Sequence, residues 1–161
     1  MPSDTKTAEL EPTADELREL IVSDHRRFRK ELEGLVELLD RETIEMHGEA
    51  RDAIASRFAD FAEEFLAHLA LEDTYLTPRL AEDYAWGAIR ARELGRHHAE
   101  QRREVLNIIA ELEHPALDTP TLVARVRRFV THVELDMLAE EGGILSPEIL
   151  RDSPVSVEIG A

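Results

Sequence analysis

Seven histidines are spread along 161 residues that include no cysteine, so imidazoles and carboxylates are the groups with which this chain could do metal or proton chemistry. Two of the histidines have a carboxylate four residues later, in His68-Leu69-Ala70-Leu71-Glu72 and His132-Val133-Glu134-Leu135-Asp136. On a helix that spacing puts both donors on one face about 6 Å apart along the axis, where one ion can receive both. Two more histidines sit on apolar lines: His25 continues Ile21, Phe28 and Leu32, and His98 lies between Leu94 and Val105. One such histidine would mean little, because a core imidazole is commonly satisfied by a neighbouring backbone or carboxylate group. Six donors on four apolar stripes are poorly explained that way.

The stripes predict the elements that position these groups. Leu17, Leu20, Ile21, Phe28, Leu32, Leu35, Val36 and Leu39 recur at three and four residues, as do Ile54, Phe58, Phe61, Phe65, Leu69 and Leu76 before Pro78 disfavours further regular helix. A third helix carries Ile89, Leu94, Val105, Ile109 and Leu112, ending near Pro115. A fourth, begun and capped by Thr119 or Thr121, carries Leu122, Val126, Phe129 and Val133 until Gly142 and Gly143 stop it. In an up-down bundle, residues on adjacent helices are level when equally far from the turn between them. Bringing the six donors level requires turns near His47 and Gly48, near Tyr84 and near Ala116, close to the breaks marked by Gly48, Gly87 and Pro115. The expected fold is therefore all-α: an up-down-up-down antiparallel four-helix bundle in one domain, with a helical body of about 16–145, a polar N-terminal segment and a short C-terminal tail. The tail alternates Val155, Val157 and Ile159 without a functional reading.

Composition removes several alternatives. A formal charge of −16 offers a nucleic-acid backbone no broad basic surface. No apolar stretch approaches the ~20 residues needed to cross a bilayer, and the opening MPSDTKTAELEPT lacks the marks of a targeting segment. Without cysteine there is no disulfide, thiolate or cysteine-ligated cluster, and a reducing, cytoplasmic location is expected.

His25, His68, Glu72, His98, His132 and Asp136 are thus the candidate ligands. Four imidazoles and two carboxylates suit two five- or six-coordinate ions with bridging carboxylates; iron fits best, and manganese and zinc remain alternatives. Two ions about 3.5–4 Å apart can share the charge of one small oxygen-containing ligand. His98 is preferred to His97, whose line through Glu93, Gln101, Glu104 and Ile108 is more polar. Tyr75, Gln101 and Arg102 are candidates to assist from behind the ligands, while Phe28, Phe65 and Phe129 would limit water. His47 and His114 near turns, the charged run Arg90–Arg103, and Glu140 with Glu141 near a helix end read as surface.

The segments SDHRRF, HLALEDTYLTPRL, HHAEQRREV and FVTHVELD, spread over residues 16–145, resemble the hemerythrin-like, or HHE cation-binding, four-helix bundles. The resemblance implies a non-haem centre of two iron ions joined by two carboxylates and an oxo or hydroxo ligand. By position, His25, His68, His98 and His132 would be terminal ligands and Glu72 and Asp136 the bridges. Two departures stand out. Asp136 replaces the usual glutamate and lacks the proline-containing ending that Glu72 has with Pro78. On the third helix, the neighbours of His98 at four-residue spacing are Leu94 and Arg102 rather than a second histidine. Fewer histidines leave exchangeable positions on both ions, so the leading expectation is reaction with a small oxygen species, foremost catalase-like decomposition of hydrogen peroxide. Reversible O2 or nitric oxide binding, iron storage or sensing, and a metal-free interaction bundle are the alternatives.

Overall fold

The computed structural model describes residues 11–45, 48–83, 85–114 and 118–152, with the side chains of 42–50 outside the description. The turn positions His47, Tyr84 and Ala116 and the tail residues Val155, Val157 and Ile159 lie outside the described residues. Those described are all-helical, with no strand, and form four long helical stretches. Helix α1 spans Ala14–Glu45, and α2 (Gly48–Leu71) runs through a π-helical turn at Glu72–Leu76 into α3 (Thr77–Asp83). Helix α4 spans Gly87–Glu113 and α5 spans Thr119–Gly142. No helix among the described residues is long and apolar enough to cross a membrane.

Local chemistry sets the boundaries. Thr13 and Glu16 close a reciprocal capping box at the start of α1: the Thr13 N–H donates to Glu16 Oε2 at 2.8 Å and the Glu16 N–H to Thr13 Oγ1 at 3.2 Å. The fourth stretch is capped by Asp118 rather than by Thr119 or Thr121, its carboxylate accepting from the Thr121 N–H at 2.9 Å. Pro78 does not end the second stretch. It lacks an N–H and would press its ring on the carbonyl of residue 74, and the helix immediately before it widens so that the Thr77 N–H bonds back to the Glu72 carbonyl. Beyond this turn the chain continues as α3. Gly87 permits the close approach of α4 to α3, since a Cβ there would lie 1.7 Å from the Leu80 carbonyl oxygen.

The apolar stripes meet in two clusters. The larger includes Phe28, Leu32, Phe58, Phe61, Phe65, Val105, Phe129, Val133 and Met137; the smaller includes Leu17, Ile21, Leu76, Leu80, Leu94, Leu145 and Leu150. Along each long stretch, a polar residue is buried or half-buried where one cluster gives way to the other: His25 on α1, His68 and Glu72 on the second stretch, His98 on α4 and Glu140 on α5. Cross-helix pairs such as Asp24 with His68 and Arg27 with Glu64, or Glu111 with Arg125 and Gln101 with Asp136, occur in opposite order along the two helices, consistent with an antiparallel bundle.

Candidate metal centre

Glu72 is the hub. It is fully buried at the first position of the π-helical turn, with His68 Nε2 3.4 Å from its Oε1 and His98 Nε2 3.0 Å from its Oε2. His25 Nε2 lies 3.3 Å from Glu140 Oε2. Two overlapping sets of donors result, His25–His68–Glu72 and Glu72–His98–Glu140, each with ligand atoms within 4.8 Å of one another. Both oxygens of Glu72 and the Nε2 atoms of His25 and His98 are buried and make no hydrogen bond. A buried carboxylate without a counter-charge costs several kcal/mol, of order 3–5, and a cation among these atoms would supply one.

The opposite ring nitrogens explain why the Nε2 atoms of His25 and His98 make no hydrogen bond, and His68 is braced in the same way. Each Nδ1 faces a carboxylate that can only accept: Asp24 for His68 at 3.0 Å, Asp73 for His98 at 2.6 Å, and Glu141 for His25 at 2.9 Å. Each Nδ1 therefore carries the proton and each Nε2 turns a lone pair inward, the orientation a metal-bound imidazole needs. Every one of these carboxylates is held in turn by an arginine: Arg27 on Asp24 at 3.0 Å, Arg29 on Glu141 at 2.9 Å, and Arg102 on Asp73. Phe28 and Phe65 cover the His68 ring, with centroids 5.2 and 6.5 Å away, whereas Phe129 packs on Phe58, Phe61 and Phe65.

Without a metal, the groups perturb one another's protonation. Burial pushes the Glu72 pKa up, but the close approach and charge of His68 and His98 outweigh it and lower the carboxyl to about 2. For His68 and His98, burial disfavours the charged form, yet Glu72 together with Asp24 or Asp73 raises both above 6.5. The Glu140 carboxyl is raised by burial, reinforced by the charge of Glu72 and opposed by His25.

The structure brings His25, His68, Glu72 and His98 together and leaves His132 and Asp136 apart. His132 is exposed, and half-buried Asp136 accepts a hydrogen bond from Gln101 Nε2 at 2.9 Å. The inward line of α5 is Phe129, Val133 and Met137, which leads to Glu140; His132 lies about 100° around the helix from Val133. The level also differs from the expectation. Helix ends at Glu113 and Thr119 do centre near Ala116, but the pairs Glu111–Arg125 and Gln101–Asp136 centre near Asp118. Helix α5 is thus slid by about one turn, ~6 Å, along α4. Glu140, read as a surface residue, consequently takes the place given to Asp136, and Glu141 braces His25.

Among the other candidates, His98 is buried and His97 exposed; His114 is exposed and His47 lies outside the described residues. Gln101 holds Asp136, Arg102 holds Asp73, and Tyr75 packs on the smaller cluster and lines a surface cavity with Pro12, Arg79 and Asp152. A signal for Glu140 was present in the chain. Glu72-Asp73 is followed by Leu76-Thr77-Pro78, and Glu140-Glu141 by Leu145-Ser146-Pro147: an acidic pair, an aliphatic residue, a hydroxyl residue and a proline. Asp136 stands four residues before Glu140 as His68 does before Glu72, although the proline ending lies one residue farther from Glu140 than from Glu72.

A helical bundle whose interior carries carboxylate-braced imidazoles around a shared glutamate belongs to the class of bundle metalloproteins. Residues 16–148 match the family described as the hemerythrin HHE cation binding domain, and the chain belongs to that family. No curated protein and no solved structure gives a significant match.

Proposed function

We propose that this chain is an up-down-up-down antiparallel four-helix bundle holding a dinuclear non-haem iron centre, and that the centre decomposes hydrogen peroxide. The observation that carries the metal reading is the convergence of unpartnered Nε2 and carboxylate oxygen atoms on histidines whose far nitrogens are braced by acids. His25, His68 and Glu72 would hold one ion, and Glu72, His98 and Glu140 the other, Glu72 being shared. Iron at these positions supplies one-electron redox changes and open coordination sites for a small oxygen compound.

The residues of the chain do the rest. Five donor side chains for two ions leave room for an exchangeable ligand. A cleft of about 150 Å³ lined by Leu94, His97, Asp136, Ala139, Glu140 and Ile144 gives a small molecule an approach to the Glu140 side. Phe28 and Phe65 close the His68 side. In the overall reaction two peroxide molecules give two of water and one of O2, one being oxidised and the other reduced, so no outside reductant is needed. A cysteine-free chain suits a cytoplasmic setting for this activity.

Elemental analysis of protein made with ample iron should find about two iron ions per chain, as a two-metal site requires. A reproducible maximum near one or none overturns the dinuclear reading. Peroxide consumption and O2 evolution by the loaded protein should exceed those of free iron. Failure to do so, with reversible O2 binding over many cycles, makes the protein a carrier instead.

A further inference from the structure

We infer that the two halves of this centre are chemically unequal, the His25–His68–Glu72 half preferring a nitrogen-seeking ion and the Glu72–His98–Glu140 half taking a harder, oxygen-seeking one less tightly. This rests on the dinuclear reading above and concerns what distinguishes its two positions. The first set offers two imidazoles and one carboxylate, the second one imidazole and two carboxylates, with Glu72 common to both. Two imidazoles and one carboxylate with open positions favour ferrous iron and later first-row ions, whereas carboxylate-rich sets suit manganese and magnesium.

The inequality traces to one residue. Four residues before Glu72 stands His68, and four residues before Glu140 stands Asp136. Asp136 is engaged by Gln101 Nε2 at 2.9 Å and the neighbouring histidines His97 and His132 are both exposed, so neither adds an imidazole to the Glu72–His98–Glu140 set; the other imidazole beside Glu140, His25 with its Nε2 3.3 Å away, falls in the first set with His68. Access differs in the same sense. His25, His68 and Glu72 are at most 4% exposed, while the side chain of Glu140 is 15% exposed and borders the cleft between α4 and α5. An ion on the Glu140 side therefore exchanges more readily as well as binding more weakly.

The test uses the whole, metal-free protein under anaerobic conditions, titrated with Co(II) and followed by its visible absorption, then challenged with Mn(II) and followed by electron paramagnetic resonance. Changing an outer partner of a metal ligand alters affinity ~10–100-fold, and changing a ligand atom itself should do no less. Two Co(II) ions should therefore bind in steps separated by at least about tenfold, with Mn(II) displacing only the weaker. Asp136→His, which places an imidazole four residues before Glu140, should narrow the gap by about tenfold or more. Glu140→Gln should abolish the weaker step and leave the stronger, a result that does not depend on how Asp136→His folds. Two indistinguishable steps, or equal displacement of both ions by Mn(II), would overturn the inference and leave the dinuclear reading standing. Failure to bind two Co(II) ions at all overturns that reading and the inference with it.

Discussion

The second helical stretch and α5 each deliver a glutamate to the centre, and they do so on different terms. On the second stretch the donor pair His68, in α2, and Glu72, which opens the π-helical turn ahead of Pro78, is fully inward. On α5 the corresponding pair is Asp136 and Glu140, of which only Glu140 joins the groups that could hold an ion while Asp136 is occupied by Gln101. The same helical spacing thus turns both side chains into the cluster in one case and only one in the other. Spacing establishes that two groups share a face; it does not establish that the face points inward or sits at the level of the site.

The largest effect should follow removal of the residue that both halves share. Glu72→Ala deletes a donor from each set, and bound iron should fall from about two ions per chain to near none, with circular dichroism still reporting a helical protein. Retention of one tight ion would mean that Glu72 serves only one half. The paired residues on the other helices give the next contrast. His98→Ala should lose the ion on the Glu140 side, whereas His97→Ala and His132→Ala, both at exposed positions, should keep full metal content. Loss of metal in His132→Ala would show that α5 presents a different face in solution and would restore His132 as a ligand.

Smaller effects should come from the acids behind the imidazoles. Asp24→Asn replaces a charged acceptor at His68 Nδ1 with an amide and also weakens the grip of Arg27, so affinity on the His25–His68 side should drop about 10–100-fold without loss of either site. Asp73→Asn should do the same for the His98 side. An unchanged affinity in a competition assay with a chelator would mean that these contacts orient nothing.

How much of this was legible in the chain depends on the helix. On α1 and α2 the apolar lines through Ile21–Phe28 and Phe61–Phe65 run straight through His25 and His68, so periodicity alone singled them out. On α4 the more apolar of two adjacent lines distinguished His98 from His97. On α5 His132, singled out by its HxxxD spacing, is exposed, whereas the inward line runs past Val133 to Met137 and Glu140. Its level could not be read from the turn, because an axial slide of one helix on another is set by side-chain packing across the interface. The bracing acids were visible only as neighbours in sequence: Asp24 precedes His25, Asp73 follows Glu72 and Glu141 follows Glu140. Asp24 braces His68 rather than its neighbour His25, a partnership that only the packed bundle defines.

The subtlest difference between the halves should appear when the metal is absent and pH is varied. His68 and His98 have pKa values raised above 6.5 in the folded protein, chiefly because Glu72 overcomes the effect of burial. A raised folded pKa means that the contribution to stability is complete below the unfolded value and disappears as pH climbs through the folded one. Glu72, lowered from 4.5 to about 2, contributes in the opposite sense: its stabilisation is present above 4.5 and fades as pH falls toward 2. The metal-free cluster is therefore most stabilising between 4.5 and 6.5, with imidazolium and carboxylate compensating one another. Above that window the imidazoles lose their protons and Glu72 is left as a buried anion, so the melting temperature of metal-free protein should decline by a few degrees, as about 1 kcal/mol would cause in a domain of this size. The loaded protein should behave oppositely, because protons compete with the cation for the same Nε2 atoms and metal binding strengthens as they leave. Thermal melts of both forms across pH 5 to about 8.5 should therefore diverge with rising pH. Parallel curves would mean that His68 and His98 do not exchange a proton for the ion, and that the convergence on Glu72 is a structural ion-pair network rather than a metal site.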